Sequence, residues 1–154
     1  MKSRYRYRIY PTDQQKVDLA KLFGCCRVVW NDALAFCDEQ YQKGEKKPTY
    51  NELSKRLTSL KRTEEKNWLT EVSSVPLQQS LKDLEQAYSN FFNSLTGKRK
   101  GKKVGCPRFK KRKSKQSARF MNNAFKLVSY QIRLPNIGDL KVIWSKTLPS
   151  EPSS

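Results

Sequence analysis

Twelve lysines and arginines fall between residues 98 and 119 with no acid among them: Lys98, Arg99, Lys100, Lys102, Lys103, Arg108, Lys110, Lys111, Arg112, Lys113, Lys115 and Arg119. The chemistry open to such residues is neutralisation of phosphates. The chain has 32 basic and 14 acidic residues in 154, so 20 bases face 14 acids outside this window, and twelve of the eighteen net positive charges lie inside it. A surface with so many like charges repels itself until a polyanion lies along it, and nucleic acid is the commonest polyanion able to follow such a length. A solvated basic tail would carry the same charge. Here Val104, Pro107, Phe109 and Phe120 interrupt the run with side chains that need burial or fix the backbone, and patterned sequence flanks both ends. The window therefore reads as a nucleic-acid-facing segment of a folded chain. Arg108, Lys110, Lys111 and Arg112 are the first candidates for phosphate contact. Phe109 and Phe120 are candidates for stacking on an unpaired base, although an aromatic among cations can equally anchor a core.

Other chemistries find little to work with. There is no histidine, which removes the commonest general acid or base. Among the acids, Asp32, Asp38 and Glu39 share a helical face, Asp83 and Glu85 flank an apolar stripe, and Asp139 lies in a turn, positions better explained by solvation or capping than by two-metal catalysis. Cys25, Cys26, Cys37 and Cys106 contain an adjacent pair and no CxxC, a spacing that suits neither zinc nor a disulfide framework. We expect no catalytic residue, no metal site, no cofactor, and reduced thiols in a cytoplasmic protein. No run is long enough for a membrane span and the N-terminus lacks the apolar core of a signal peptide, so no membrane partner is expected.

The elements that must position the basic segment follow from periodicity. Residues 2–10 alternate, with Lys2, Arg4, Arg6 and Arg8 on one face and Ser3, Tyr5, Tyr7 and Ile9 on the other, which predicts a strand with a packed side and a cationic side. Pro11 ends it, and Thr12 with Gln15 forms a capping box that opens a helix running to Phe23, with Gly24 as its exit. Cys26, Trp30, Ala33, Leu34, Cys37 and Tyr41 predict a second helix, closed by Gly44 and Pro48. Two such helices make a helix-turn-helix in the loose sense, in which Arg27 and Asn31 are the polar contact candidates. Thr49 and Glu52 cap a third helix over 49–60. Pro76 opens the longest, whose stripe of Leu77, Leu81, Leu84, Tyr88, Phe91 and Leu95 reads as core throughout. After Gly97 the period changes: segments near 117–121, 124–134 and 139–145 are short and β-like, separated by Asn122-Asn123 and by Pro135 to Asp139, and the final residues have no pattern.

The blocks RYRIYPTDQQ, FGCCRVVWNDAL, NWLTEVSSVPLQQSLKDLEQAYSNFF, GCPRFKKRK and IRLPNIGDLKV, in that order over residues 2–144, resemble the N-terminal half of the OrfB/TnpB proteins of bacterial insertion sequences, relatives of the type V CRISPR nucleases. The resemblance implies an α+β fold: a partial antiparallel oligonucleotide-binding-like barrel, the wedge, with a helical recognition bundle inserted after its first strand. The expected divisions are a first wedge strand at 1–11, the helical insertion at 12–97, a basic linker at 98–116, further wedge strands at 117–146 and a frayed tail at 147–154. It also implies that the chain binds a structured guide RNA and target DNA as part of a transposon-encoded RNA-guided nuclease. Members of the family continue into a RuvC-type nuclease domain with three metal-binding carboxylates and a four-cysteine zinc element, both absent from this sequence, so no catalysis is expected from this chain alone. Alternative readings are a helix-turn-helix DNA-binding regulator or transposase accessory, one half of a split nuclease completed by a nuclease-domain polypeptide, and an inert remnant.

Overall fold

The computed structural model describes residues 2–154. A first strand, β1 (Arg8–Tyr10), is followed by three helices, α1 (Asp13–Gln42), α2 (Tyr50–Lys61) and α3 (Ser74–Leu95), with a 3-10 turn at Asn67–Glu71 between the last two; strands β2 (Lys126–Val128), β3 (Gln131–Leu134) and β4 (Gly138–Ile143) complete the chain. The sheet is antiparallel throughout, in the order β1-β4-β3-β2. Its first strand therefore pairs with the last, and all the helices lie between them in sequence. The α+β class and this insertion order agree with expectation. The sheet is open, with four strands and two free edges, and does not close into a barrel.

The two helices expected on either side of Gly24 are one. The side chains Leu22, Cys25, Cys26, Val29, Trp30, Ala33, Leu34 and Cys37 are all buried, and their alternating steps of three and one keep a single stripe on one side of an unbroken helix. An interior glycine costs only about 1 kcal/mol relative to alanine, less than the burial of this stripe against α3 returns. Gly24 consequently ends nothing, and the left-handed glycine comes later, at Gly44, φ +74°. Tyr41, expected on the core stripe, is 82% exposed.

Both capping boxes form as the sequence predicts. Thr12 accepts from the Gln15 amide while Gln15 accepts from the Thr12 amide, and Thr49 and Glu52 do the same at the start of α2. The start of α3 is simpler: Ser73 caps it by accepting from the Val75 amide, which places Pro76 within the first turn, where its missing N–H costs nothing. Leu77, Leu81, Leu84 and Tyr88 of α3 pack with the α1 stripe and with Leu53, Leu57 and Leu69 in one core. Asp32 and Arg56 clasp α1 to α2 through two hydrogen bonds of 3.0 and 3.3 Å, with the guanidinium lying 4.4 Å from the centre of the Phe36 ring.

Three expectations for the strands need correction. Only residues 8–10 of the alternating N-terminal stretch pair, because β4 offers just Lys141, Val142 and Ile143 to them. On the side expected to pack, Tyr5 and Ile9 are exposed and Tyr7 alone is half-buried, against Trp144. The segment 117–121 forms no strand; it is an extended piece that delivers Phe120 into the helical core.

Candidate nucleic-acid interface

From Thr96 to Phe125 the chain has neither helix nor strand, a span far longer than an ordinary connection. It is nonetheless bound down at intervals by side chains of α1 and α3. At its start the Val104 amide donates to the Ser94 hydroxyl, 3.0 Å. In the middle the Trp30 indole donates to the Arg108 carbonyl, 2.9 Å, and Asn31 grips the Lys110 peptide from both sides: the Lys110 amide donates to Oδ1 at 2.8 Å, and Nδ2 donates to the Lys110 carbonyl at 3.0 Å. The Lys110 ammonium folds back over the Trp30 ring, 4.2 Å from its centre. Further on, Gln116 donates to the carbonyls of Lys111, Arg112 and Ser114 and accepts from Arg27 at 3.3 Å, which closes the turn between 111 and 116 on itself and onto α1. Arg119 then bridges to Asp83 and to the buried Gln79 of α3, each at 2.8 Å, and Phe120 enters the core.

The consequence is a fixed ridge of cations. Backbone groups face the helices, and the side chains of Lys98, Arg99, Lys100, Lys102, Lys103, Arg108, Lys110, Lys111, Arg112, Lys113, Lys115 and Arg119 are all exposed. None of the residues from Lys98 to Lys115 has a carboxylate partner among the described residues; Arg119 alone is spent on an ion pair. Such unpaired charges keep their full attraction for phosphate. Phe109 is 53% exposed beside this ridge, whereas Phe120, at 9%, is a core anchor with no face left for a base.

Arg27 and Asn31, expected to reach outward as groove contacts, are therefore both turned onto the basic segment. Arg4, Arg6 and Arg8 are exposed at the N-terminus and make no ion pair among the described residues. The register adds residues that sequence reasoning missed: opposite pairs share a face, so Arg8, Lys141, Arg133 and Lys126 stand together on one side of the sheet with Tyr10 and Gln131, while Leu140, Val142, Ile132 and Leu134 take the other. The alternation within 126–133 and 138–143 was the available signal.

Two acids outside the basic segment have carboxyls shifted by a cation. Glu39 pairs with Lys43 and Asp139 with Arg133, and each partner's hydrogen bond holds the carboxyl below its usual range. Burial pushes the thiols up, Cys26 to about 11, so all four cysteines are protonated at neutral pH. Among the described residues no cluster of three or more His, Cys, Asp or Glu is placed to hold a metal ion.

Residues 1–46 match the helix-turn-helix domain of OrfB proteins of the IS605 group. Over its whole length the chain is 39% identical to a candidate RNA-guided DNA endonuclease of Streptomyces pristinaespiralis, and over 75% of its length it is 38% identical to the candidate RNA-guided DNA endonuclease InsQ of Escherichia coli (strain K12). The chain corresponds to the N-terminal part of OrfB-family proteins. It spans 37% of the first of these relatives and 27% of the second. The match places it among the proteins of transposable elements. In this OrfB-family chain the residues that carry the helix-turn-helix description form one strand and one continuous helix, so the two-helix reading of residues 12–44 does not apply to its geometry. No helix among the described residues is long and apolar enough to cross a membrane.

Proposed function

We propose that this chain is a nucleic-acid-binding module of an RNA-guided DNA endonuclease system, which holds a structured guide RNA and contacts target DNA, and which performs no bond-breaking itself. The observation that carries the reading is the attachment of the basic segment: twelve exposed cations on a backbone tied to α1 and α3 at Ser94, Trp30, Asn31 and Arg27. A passive tail would have no reason to be fastened. A fixed array binds a polyanion without first losing the entropy of a loose one, so its phosphate contacts are pre-organised. The sheet cations Arg8, Lys126 and Lys141 extend the positive surface, and Arg4 and Arg6 continue it along the N-terminus. The family match supports nucleic acid as the partner class, and the likeness to candidate RNA-guided endonucleases supports RNA and DNA together.

The test is salt-titrated binding of the purified chain to structured RNA, duplex DNA and single-stranded DNA of equal length, with Arg108, Lys110, Lys111 and Arg112 all changed to Ala in a parallel variant. A preference for structured RNA, and a log–log salt slope reduced by roughly 3 to 4 in the variant, is the expected result. Equal affinity for all three nucleic acids with an unchanged slope would overturn the reading.

A further inference from the structure

The apolar stripe of α3 does not stay buried. Leu77, Leu81, Leu84 and Tyr88 are at most 6% exposed, yet one turn further on Phe92 is 45% exposed and Leu95 is 68% exposed. Among the described residues both stay open to solvent to this extent, and the basic segment starts directly beyond. The Arg99 amide donates to the Asn93 carbonyl, 3.0 Å, and this bond folds the Lys98-Arg99-Lys100 turn back onto the last turn of the helix. At the other end the Lys47 ammonium lies 5.4 Å from the Tyr88 ring centre. The Phe92 ring is also supported from behind, by Tyr88 at 6.0 Å between centroids and 19° between planes, and by Phe91 at 5.4 Å.

We propose that Phe92 and Leu95 form a docking site for an unpaired nucleic-acid strand, with a base stacked on the Phe92 ring and phosphates held by Lys47 on one side and by Lys98, Arg99 and Lys100 on the other. Charge selects this occupant. A second copy of the chain would bring another eighteen net positive charges to a patch already bounded by cations. A ligand that alternates planar apolar faces with anionic groups matches the strip at both levels, and single-stranded nucleic acid has that composition. A duplex does not, because its base faces are already stacked. The proposal rests on the nucleic-acid reading above and adds a second, stacking subsite to it.

The test compares oligouridylate, oligothymidylate and a blunt duplex of equal length on the full chain, with Phe92→Leu, Phe92→Trp and the four-alanine variant of Arg108, Lys110, Lys111 and Arg112. Phe92→Leu keeps most of the apolar volume and removes the ring face. It is expected to weaken binding of both single strands at least roughly 5-fold, since stacking contributes about 1–3 kcal/mol per base, while duplex affinity and the salt slope hold. Phe92→Trp should restore or exceed the original affinity. Equal losses on single strand and duplex, or no loss in Phe92→Leu while the four-alanine variant loses binding, would sink the subsite and leave the general reading standing. Absence of binding by the unaltered chain would remove both. A gain of self-association in dilute salt, abolished by Phe92→Leu, would show that the patch serves a second copy instead.

Discussion

Asn31 of α1 holds the peptide of Lys110 by two hydrogen bonds, 2.8 and 3.0 Å, in the manner of a neighbouring strand. Helix and basic segment are joined there by a carboxamide, which presents a donor and an acceptor side by side. Asn31→Asp keeps the shape and replaces the donor with an anion aimed at a carbonyl. We expect the segment from Cys106 to Lys113 to loosen in Asn31→Asp, with amide hydrogen exchange faster by at least tenfold, since leaving the Lys110 carbonyl without its donor and facing an anion costs about 1–3 kcal/mol. The melting temperature of the helical core should change little, and nucleic-acid affinity should fall because the cations on this segment lose their fixed positions. Unchanged exchange at Lys110 would refute the positioning role.

Gln15 belongs to two structures at once. Its Oε1 completes the capping box of α1, and its Nε2 donates to the carbonyl of Asp139 at 2.8 Å and, more weakly, to that of Ile137 at 3.4 Å, so the helix start is tied to the β3–β4 turn. Gln15→Glu can keep the cap but has no donor for the sheet; Gln15→Ala loses both. Expected losses of stability are about 1 kcal/mol for the glutamate and about 1–2 kcal/mol for the alanine, read by urea unfolding. No loss in Gln15→Glu would mean that the tie to the sheet contributes nothing.

Gly24 sits in the middle of α1 with a negative φ, and a Cβ placed there would meet no atom within 4 Å. Gly24→Ala should therefore stabilise the chain by about 0.5–1 kcal/mol, through the reduced entropy of the unfolded state and the better helix propensity. A loss of stability would show that the helix bends or breaks at this position in solution, as a two-helix arrangement requires.

That glycine also marks where sequence reasoning failed and why. Both capping boxes and the α3 stripe as far as Tyr88 follow from local rules, in which each residue's role depends on neighbours within a turn, whereas the return of β1 to the last strand's sheet came from the resemblance carried by the five sequence blocks. Gly24 was a stop signal by the same rules, and tertiary burial of Cys25, Cys26 and Val29 overrode it. The basic segment was visible by charge alone. Its attachment was not, because Asn31 and Lys110 are 79 residues apart and nothing in their spacing pairs them. Arg27 and Asn31 were singled out as polar groups on an apolar helix, which was sound, but the helical pattern says only that they face away from the core and not what lies over them. For the same reason Phe109 and Phe120 looked alike in sequence, and only the fold separates the exposed ring from the buried one.

The pH dependence of stability follows from the buried thiol of Cys26. Burial is the largest influence on it and lifts its pKa from 9.0 to about 11, opposed mainly by a hydrogen bond with Ser80. In the unfolded chain the thiol ionises near its ordinary value, so above pH 9 the unfolded state has lost a proton that the folded state retains. Stability then falls with rising pH, and it goes on falling until the folded thiol itself ionises near pH 11. The full contribution is present below pH 9; the loss across the window is up to roughly 2–3 kcal/mol for a shift of this size. Cys25 and Cys37, also raised chiefly by burial, steepen the same limb. Cys26→Ala leaves a small void and lowers stability at pH 7, yet its curve between pH 9 and 11 should be flatter than that of the unaltered chain. Urea unfolding at intervals across that range gives the comparison, and parallel slopes in the two proteins would show that Cys26 does not stay protonated in the fold.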